Sequence, residues 1–175
     1  MTTFSFEATL STLEARALWF VAPRSVELRT ETLRAPGPRD VVVRGLASGV
    51  SQGTEMLLYR GEGPEVFDPS LAAPAGAGES TYPRRYGYAW VGEITACGSD
   101  ARLREGTRVF ALAPHGDGHV LDGDAVRALP EDFSATRAVL AANLETAVTC
   151  AWDASPSLGD DAVVLGGGVV GILTA

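Results

Sequence analysis

The sequence contains no lysine, and all 14 of its basic residues are arginines. This absence excludes a lysine Schiff base, a P-loop lysine and a lysine general base. Two cysteines and two histidines leave little material for a metal site and none for a disulfide framework. No apolar run approaches the roughly 18 residues of a membrane span, and no targeting signal is visible. We therefore expect a soluble protein of the reducing cytoplasm.

Cationic charge is also scarce. The formal net charge is −8 over 175 residues, whereas a surface that binds nucleic acid or anionic membrane must be cationic. We expect no nucleic-acid partner and no membrane partner. The hydrophobic content of 46% suffices for one domain, or for one domain and part of another, and argues against wholesale disorder.

The pattern of the chain changes near residue 130. Residues 1–14 are interpreted as a leader, and the region 15–133 contains short segments of alternating apolar and polar residues, which is typical of antiparallel strands. Within it, residues 61–83 are rich in Gly, Pro and Ala and predict a long surface loop. Beyond it, the spacing predicts one helix over residues 135–150, with Ser134 as its N-cap.

The last part of the chain predicts a strand, a glycine turn and the start of a helix. The apolar segment 162–165 precedes Gly166, Gly168 and Gly171, which stand in the Gly-x-Gly-x-x-Gly spacing of a dinucleotide-binding turn. Glycines at these positions permit a tight turn, approach to a pyrophosphate and close packing of helix on strand. The alternative is a glycine-rich turn without a ligand.

This glycine turn lies only a few residues before Ala175, the last residue. A residue that reads the ribose, expected about 20 positions further on, is missing, as are strands to cover the apolar segment. One strand and one helical turn cannot bury a face of their own. We therefore expect the sequence to be cut off inside a second domain, residues 134–175, with side chains such as Leu165 and Ile172 lacking packing partners.

Four segments, in this order, resemble the medium-chain dehydrogenase/reductase superfamily, which includes the zinc alcohol dehydrogenases and quinone reductases. The resemblance runs from about Ala15 to Ala175, and its Ser-x-Gly-Thr-Glu loop is similar to that of bacteriochlorophyllide-type alcohol dehydrogenases. It implies a mainly β, partly open GroES-like barrel over 15–133, followed by the first βα unit of a Rossmann domain. The segments are Gly49-Val-Ser-Gln-Gly-Thr-Glu55, Arg85-Tyr-Gly-Tyr-Ala-Trp-Val-Gly-Glu-Ile94, Glu105-Gly-Thr-Arg-Val-Phe110 and Leu158-Gly-Asp-Asp-Ala-Val-Val-Leu-Gly-Gly-Gly-Val-Val-Gly171.

The sequence departs from this family at the catalytic zinc. Where zinc members carry a ligand cysteine, this chain has Ser51 or Gln52, depending on a one-residue gap. Tyr88 replaces the ligand histidine, and the third ligand falls near Ala142 or Asn143. Because amide and phenol oxygens are poor zinc ligands, we expect no zinc and a reaction that depends on NAD or NADP alone.

The resemblance also implies roles for individual hydroxyl groups. Thr54 matches a residue that passes on the substrate proton, Ser51 is a weaker candidate for the same role, and Tyr88 is placed to polarise a substrate carbonyl. Each has a plainer alternative, a turn-stabilising hydroxyl or a tyrosine on a β surface. Thr146 matches a residue that packs near the nicotinamide ring.

The resemblance thus implies an oxidoreductase that transfers hydride between NAD(P)(H) and a small alcohol, carbonyl or enone. A homodimer of the full-length form is compatible with it. The alternative is a truncated, inactive β domain that binds a small molecule or a protein.

Five further residues receive structural interpretations. Glu55 is expected to support its loop, and His115 and His119 are interpreted as exposed loop residues because glycines separate them. Cys97 and Cys150 are expected to be small buried hydrophobic residues.

Overall fold

A computed structural model describes residues 13–62 and 82–175. The leader expected over 1–14 and the loop expected over 61–83 therefore lie almost entirely outside the described residues. The described residues form eight strands and four helices. In chain order these are β1 (Glu14–Ala22), β2 (Ser25–Thr32), β3 (Asp40–Ser48), α1 (Thr54–Arg60), β4 (Arg84–Arg85), β5 (Trp90–Cys97), β6 (Arg108–Ala111), β7 (Gly118–Asp122), β8 (Val126–Ala128), α2 (Ala135–Ala138), α3 (Ala141–Ala154) and α4 (Val169–Thr174).

The larger of two sheets carries the hydrophobic core. Its strand order is β7-β3-β5-β6-β8, and every neighbouring pair is antiparallel. Trp90 and Ile94 of β5 point into one apolar cluster, whereas Val91 lies on the other face beneath α2, as the two-residue period of a strand requires. The Trp90 indole, fully buried, donates a hydrogen bond of 2.8 Å to the carbonyl of Gly116, so its polar atom is satisfied.

The smaller sheet, in the order β2-β1-β4, curls against the larger one. Contact between the two runs through a bridge from Ala17 to Gly116 and a backbone hydrogen bond of 3.0 Å from Leu18 to His115. The sheets together form a partly open half-barrel, which confirms the predicted fold class.

One helical prediction needs correction, and one helix was not predicted. The unpredicted helix is α1, which ends at Gly61 in the left-handed region, φ +75°. The helix predicted over 135–150 is divided into α2 and α3 at Val139 and Leu140. Ser134 precedes α2 as predicted, but its hydroxyl contacts Thr136 Oγ1 at 2.7 Å and makes no capping bond to the backbone.

The strand predicted over 162–165 is wrong for the described chain. No other described strand lies beside this segment, so its backbone lacks the partner that a ladder requires. Val163 is 80% exposed and Leu165 is 93% exposed, as expected for apolar residues without a sheet to pack on. Only the helical half of the predicted βα unit is present, as α4 packed on α3. The division between residues 133 and 134 stays a prediction.

None of the helices within residues 13–62 and 82–175 has the length and apolar character needed to cross a bilayer.

Candidate active site

A cleft of about 1290 Å³ opens between the loop that precedes α1 and the glycine turn that precedes α4. Its walls come from distant parts of the chain, namely the segment after β3, the helix α3 and the segment that leads into α4. Every site residue predicted from the sequence lines it: Ser51, Thr54, Tyr88, Thr146, Gly166, Gly168 and Gly171.

The loop before α1 supplies a group of polar side chains. Thr54 is the first residue of the helix, and Glu55 follows it in the first turn, where the helix N-terminus favours a negative charge. Glu55 is fully buried, and its Oε2 accepts a hydrogen bond from the hydroxyl of Ser51. The loop support expected of Glu55 is therefore present, but a buried carboxylate beside a cleft also has the potential for chemistry.

Tyr88 stands opposite this loop, half-buried in the segment between β4 and β5. Burial raises the pKa of its phenol, the charge of Glu55 raises it further, and hydrogen bonding to Ser51 lowers it. With its pKa above the ordinary value of 10.0, the phenol carries its proton at neutral pH. Tyr88 can therefore donate a hydrogen bond, or a proton, to an oxygen atom in the cleft.

The interpretation of His115 as an exposed loop residue is wrong, since it is 5% exposed. Its backbone N–H donates to the Tyr86 carbonyl at 3.2 Å, which holds the imidazole behind Tyr88. Nδ1 lies 2.5 Å from Ser48 Oγ, and Nε2 lies 3.6 Å from Glu55 Oε1. No pattern in the sequence predicts this arrangement, because His115 and Glu55 are 60 positions apart and meet only when the sheets curl.

Gly87 makes room for this imidazole. Its φ is +141°, and a Cβ at this position would lie 2.8 Å from the backbone nitrogen of His115 and 3.0 Å from its Nε2. Real side chains rarely tolerate either condition. A glycine here therefore allows the ring of His115 to pack directly behind the tyrosine that follows.

His119 is also buried, contrary to the sequence interpretation, and it lies on β7 rather than in a loop. Its Nε2 is 2.9 Å from the carbonyl of Pro114, and its ring stacks edge-to-face on Trp90 with centroids 4.7 Å apart. Burial lowers its pKa to about 4. These contacts give His119 a structural role in the core, away from the cleft.

The glycine turn on the other wall has the shape that close backbone approach requires. Gly166 has φ +105°, and a Cβ on Gly171 would clash with the carbonyl of Gly166. Around Gly166 and Gly168, in contrast, no atom lies within 4 Å of where a Cβ would stand. The turn thus needs glycine for its own geometry at two positions and leaves open space beside the backbone, which fits a phosphate-bearing ligand.

Metal-ligating side chains do not gather anywhere in the part of the chain that the structure describes: no three His, Cys, Asp or Glu residues come together. Cys150 lines the cleft and is exposed, which corrects the expectation of burial. Cys97 is partly buried, and its thiol contacts the Leu103 carbonyl at 3.3 Å.

Comparison with known proteins explains the overall arrangement. No protein-family model matches the chain. The 2R,3R-butanediol dehydrogenase of Bacillus subtilis superposes with a TM-score of 0.74 at 17% identity, over 91% of this chain and 53% of that one. An alcohol dehydrogenase of E. coli complexed with NADH gives 0.73 at 18% identity, over 94% and 52%. The chain has the fold of the N-terminal portion of a medium-chain dehydrogenase/reductase.

A curated sequence relative points in the same direction. The 2-desacetyl-2-hydroxyethyl bacteriochlorophyllide A dehydrogenase of Cereibacter sphaeroides is 36% identical over 98 residues, which are 56% of this chain and 27% of that protein. The chain spans about half the length of these two solved dehydrogenases, and the sequence match covers about a quarter of the curated relative. The resemblance drawn from the four sequence segments is thereby confirmed.

Proposed function

We propose that the whole protein is a nicotinamide-dependent oxidoreductase that interconverts a small alcohol and its carbonyl, or reduces an enone, without a catalytic zinc. The observation that carries this proposal is the cleft in which the hydroxyl groups of Ser51, Thr54 and Tyr88 share one space with the glycine turn. Relatives and structural neighbours that are dehydrogenases support it.

The glycine turn is the part of the chain that fits a dinucleotide. Its open backbone at Gly166 and Gly168 would face the pyrophosphate, and Thr146, exposed on α3, lies on the same cleft. The Thr146 hydroxyl donates a hydrogen bond of 3.1 Å to the carbonyl of Ala142. Its oxygen can therefore still accept a hydrogen bond from a ligand. When bound, NAD or NADP would supply or accept the hydride.

Tyr88 would hold and donate the proton that the substrate oxygen takes up. A carbonyl oxygen becomes negative as its carbon receives hydride, and a positioned O–H donor stabilises that charge. The phenol is suited to this role because its pKa lies above 10.0, so the group is protonated before the reaction. Ser51 and Thr54 both interact with this phenol and would orient it, and Ser51 also bridges it to Glu55.

We propose a reaction without zinc because of the side chains that stand at the positions of the family's zinc ligands. The side chains at the positions of the family's ligands are hydroxyl, amide, phenol and methyl groups, whereas zinc sites in proteins use thiolate, imidazole and carboxylate. We therefore expect the purified protein to contain far less than one zinc per chain and to keep its activity in the presence of a chelator. Stoichiometric zinc in metal analysis would overturn this part of the proposal.

The choice of substrates to test follows the curated relative, whose name describes a hydroxyethyl bacteriochlorophyllide. A panel of secondary alcohols, carbonyls and enones should therefore include one aromatic ring that carries a 1-hydroxyethyl group. The experiment uses the protein from the full reading frame that contains this sequence, with nicotinamide cofactors deuterated at C4. Deuterium in the product, detected by mass spectrometry, shows hydride transfer directly.

Substitution of Tyr88 then tests the assignment of the proton donor. Loss of a general acid costs about 10²–10⁴ in rate, so Tyr88→Phe should lower kcat by about that factor while KM changes little. Tyr59→Phe is the matched control, because Tyr59 is partly buried in α1 but does not line the cleft. Absence of both cofactor binding and deuterium transfer in the full protein would favour the alternative, a β domain that binds without catalysis.

A further inference from the structure

A line of polar side chains leads from Tyr88 into the wall behind the cleft, and the proposed reaction gives no role to its inner members, His115 and Ser48. Tyr88 interacts with Glu55 directly and through Ser51. Glu55 Oε1 faces His115 Nε2 at 3.6 Å, and His115 Nδ1 lies 2.5 Å from the hydroxyl of Ser48. Four groups that can each give or take a proton thus follow one another through the wall of the half-barrel.

This line ends in a second pocket. Ser48 and His115 line a space of about 270 Å³ together with Arg16 and Asp117, whereas Tyr88 and Ser51 line the cleft. Val50 lines both spaces, so the two are neighbours in the fold. Ser48 is exposed, although the imidazole to which it is bonded is 5% exposed. The line therefore begins at the cleft and ends at water.

We propose that Glu55, His115 and Ser48 form a proton relay that connects Tyr88 in the cleft with solvent in the second pocket. The inference rests on the proposed function, since it supplies the proton that Tyr88 donates.

The central contact of the relay is formed by two atoms that lack other partners. Glu55 Oε1 and His115 Nε2 are both buried, and neither has a hydrogen-bond partner among the described residues. A gap of 3.6 Å is too short for an intervening water, and a small rotation of either side chain closes it to a direct hydrogen bond. Buried polar atoms are normally paired, so two that face each other indicate a contact that forms and breaks.

Ser48 allows the imidazole to exist in both neutral forms. Its hydroxyl can donate to Nδ1 of His115, or it can turn to the Ala89 carbonyl at 3.3 Å and accept from Nδ1 instead. In the first form Nε2 carries a proton and faces an ionised Glu55; in the second Nε2 is bare and faces a protonated Glu55. The two forms differ by the passage of one proton along the line, which is what a relay requires.

The proton balance of the step is simple. We start from the form in which Glu55 is ionised. As the substrate oxygen takes the proton of Tyr88, the Nε2 proton of His115 passes to Glu55 and on to the phenolate, directly or through the Ser51 hydroxyl. Nδ1 takes the hydroxyl proton of Ser48, and Ser48 takes one from water in the second pocket. One proton enters from water and one leaves with the product, so no side chain changes its charge. His115 ends with its proton on Nδ1 and returns to the starting tautomer before the next turnover; alcohol oxidation runs the same path in reverse.

The first test needs no cofactor. In protein labelled with ¹⁵N on histidine, the ring signals of His115 and His119 are assigned by their loss in His115→Gln and His119→Gln. Tyr88→Phe and Glu55→Gln should both move the ring signals of His115 and leave those of His119 in place. If the ring signals of His115 do not shift in Tyr88→Phe, Tyr88 is not coupled to His115 and the relay is overturned. This outcome is independent of whether the protein is an oxidoreductase.

The second test measures turnover in the full protein. Ser48→Ala and His115→Gln should lower kcat by about tenfold or more, leave KM nearly unchanged, increase the solvent deuterium isotope effect and respond to added imidazole buffer. His119→Gln is the matched control, a histidine of similar burial without a link to Tyr88. Variants of Ser48 and His115 with wild-type kcat and isotope effect would overturn the relay, whereas an inactive wild type would overturn the proposed function instead.

Discussion

Protonation of His119 should govern how the half-barrel responds to mild acid. The side chain is 4% exposed, lies against Trp90 and bonds to the Pro114 carbonyl. Burial disfavours the charged imidazolium, Arg85 adds repulsion, and the pKa falls from 6.5 to about 4. The unfolded chain, with the ordinary pKa, takes up the proton first. The free energy of unfolding is therefore undiminished above the unfolded pKa and decreases as the pH falls toward the folded one.

The size of the effect follows from the two pKa values. A difference of about 2.5 units corresponds to about 3.4 kcal/mol once the pH is below both. Between about pH 7.5 and about pH 5, where the folded state still excludes the proton, the loss is about 2 kcal/mol. That is a large fraction of the stability of a small domain.

Urea unfolding followed by tryptophan fluorescence measures this loss at a series of pH values. Carboxylates also titrate toward the acid end, but they do so equally in wild type and in His119→Gln. The variant should be less stable than wild type near neutral pH, and its stability should fall by about 2 kcal/mol less on going to about pH 5. Two curves that stay parallel across that interval would refute the assignment of a buried, neutral imidazole.

Three other changes have defined outcomes. Asp40→Asn should lower the free energy of unfolding by about 1–3 kcal/mol in urea titrations, because the nearly buried carboxylate holds Arg34 by two hydrogen bonds. Trp90→Ala should cost about 3–5 kcal/mol, measured by thermal unfolding, because the indole is fully buried in the core. Cys150 should react with a thiol reagent well before Cys97, whose pKa is raised by burial; equal rates would contradict the exposures described.

Local pattern was enough to predict most of the β framework. In β2 apolar or threonine residues alternate with charged ones, and in β3 a run of valines enters the core, so both strands were predictable from period and composition. The cleft residues were predictable for a different reason. Ser51, Thr54 and Tyr88 sit in segments that resemble a known family, and the structure places them on one cleft with the glycine turn.

Contacts between distant segments explain what the sequence did not predict. His115 lies between glycine-rich neighbours, a composition typical of exposed loops, yet the curl of the two sheets carries it behind Tyr88. The strand expected over 162–165 shows the opposite case. Its residues are strongly apolar, but a strand needs a neighbour for its hydrogen bonds, and none of the described strands is adjacent.

Glu55 is the residue whose placement is hardest to explain by stability alone. Removing a carboxylate from water costs several kcal/mol, and replacing a buried charge by an apolar side chain of similar volume is often neutral or stabilising. Here the cost is offset only partly, because Oε2 is bonded to Ser51 while Oε1 lies 3.6 Å from His115 Nε2, an atom that also has no hydrogen-bond partner among the described residues. Proton transfer requires a buried pair whose facing atoms can form and break their hydrogen bond, since a permanently bonded pair would hold its proton in one place. The same incomplete bonding that weakens the fold at Glu55 is therefore the physical basis for assigning it a part in the reaction.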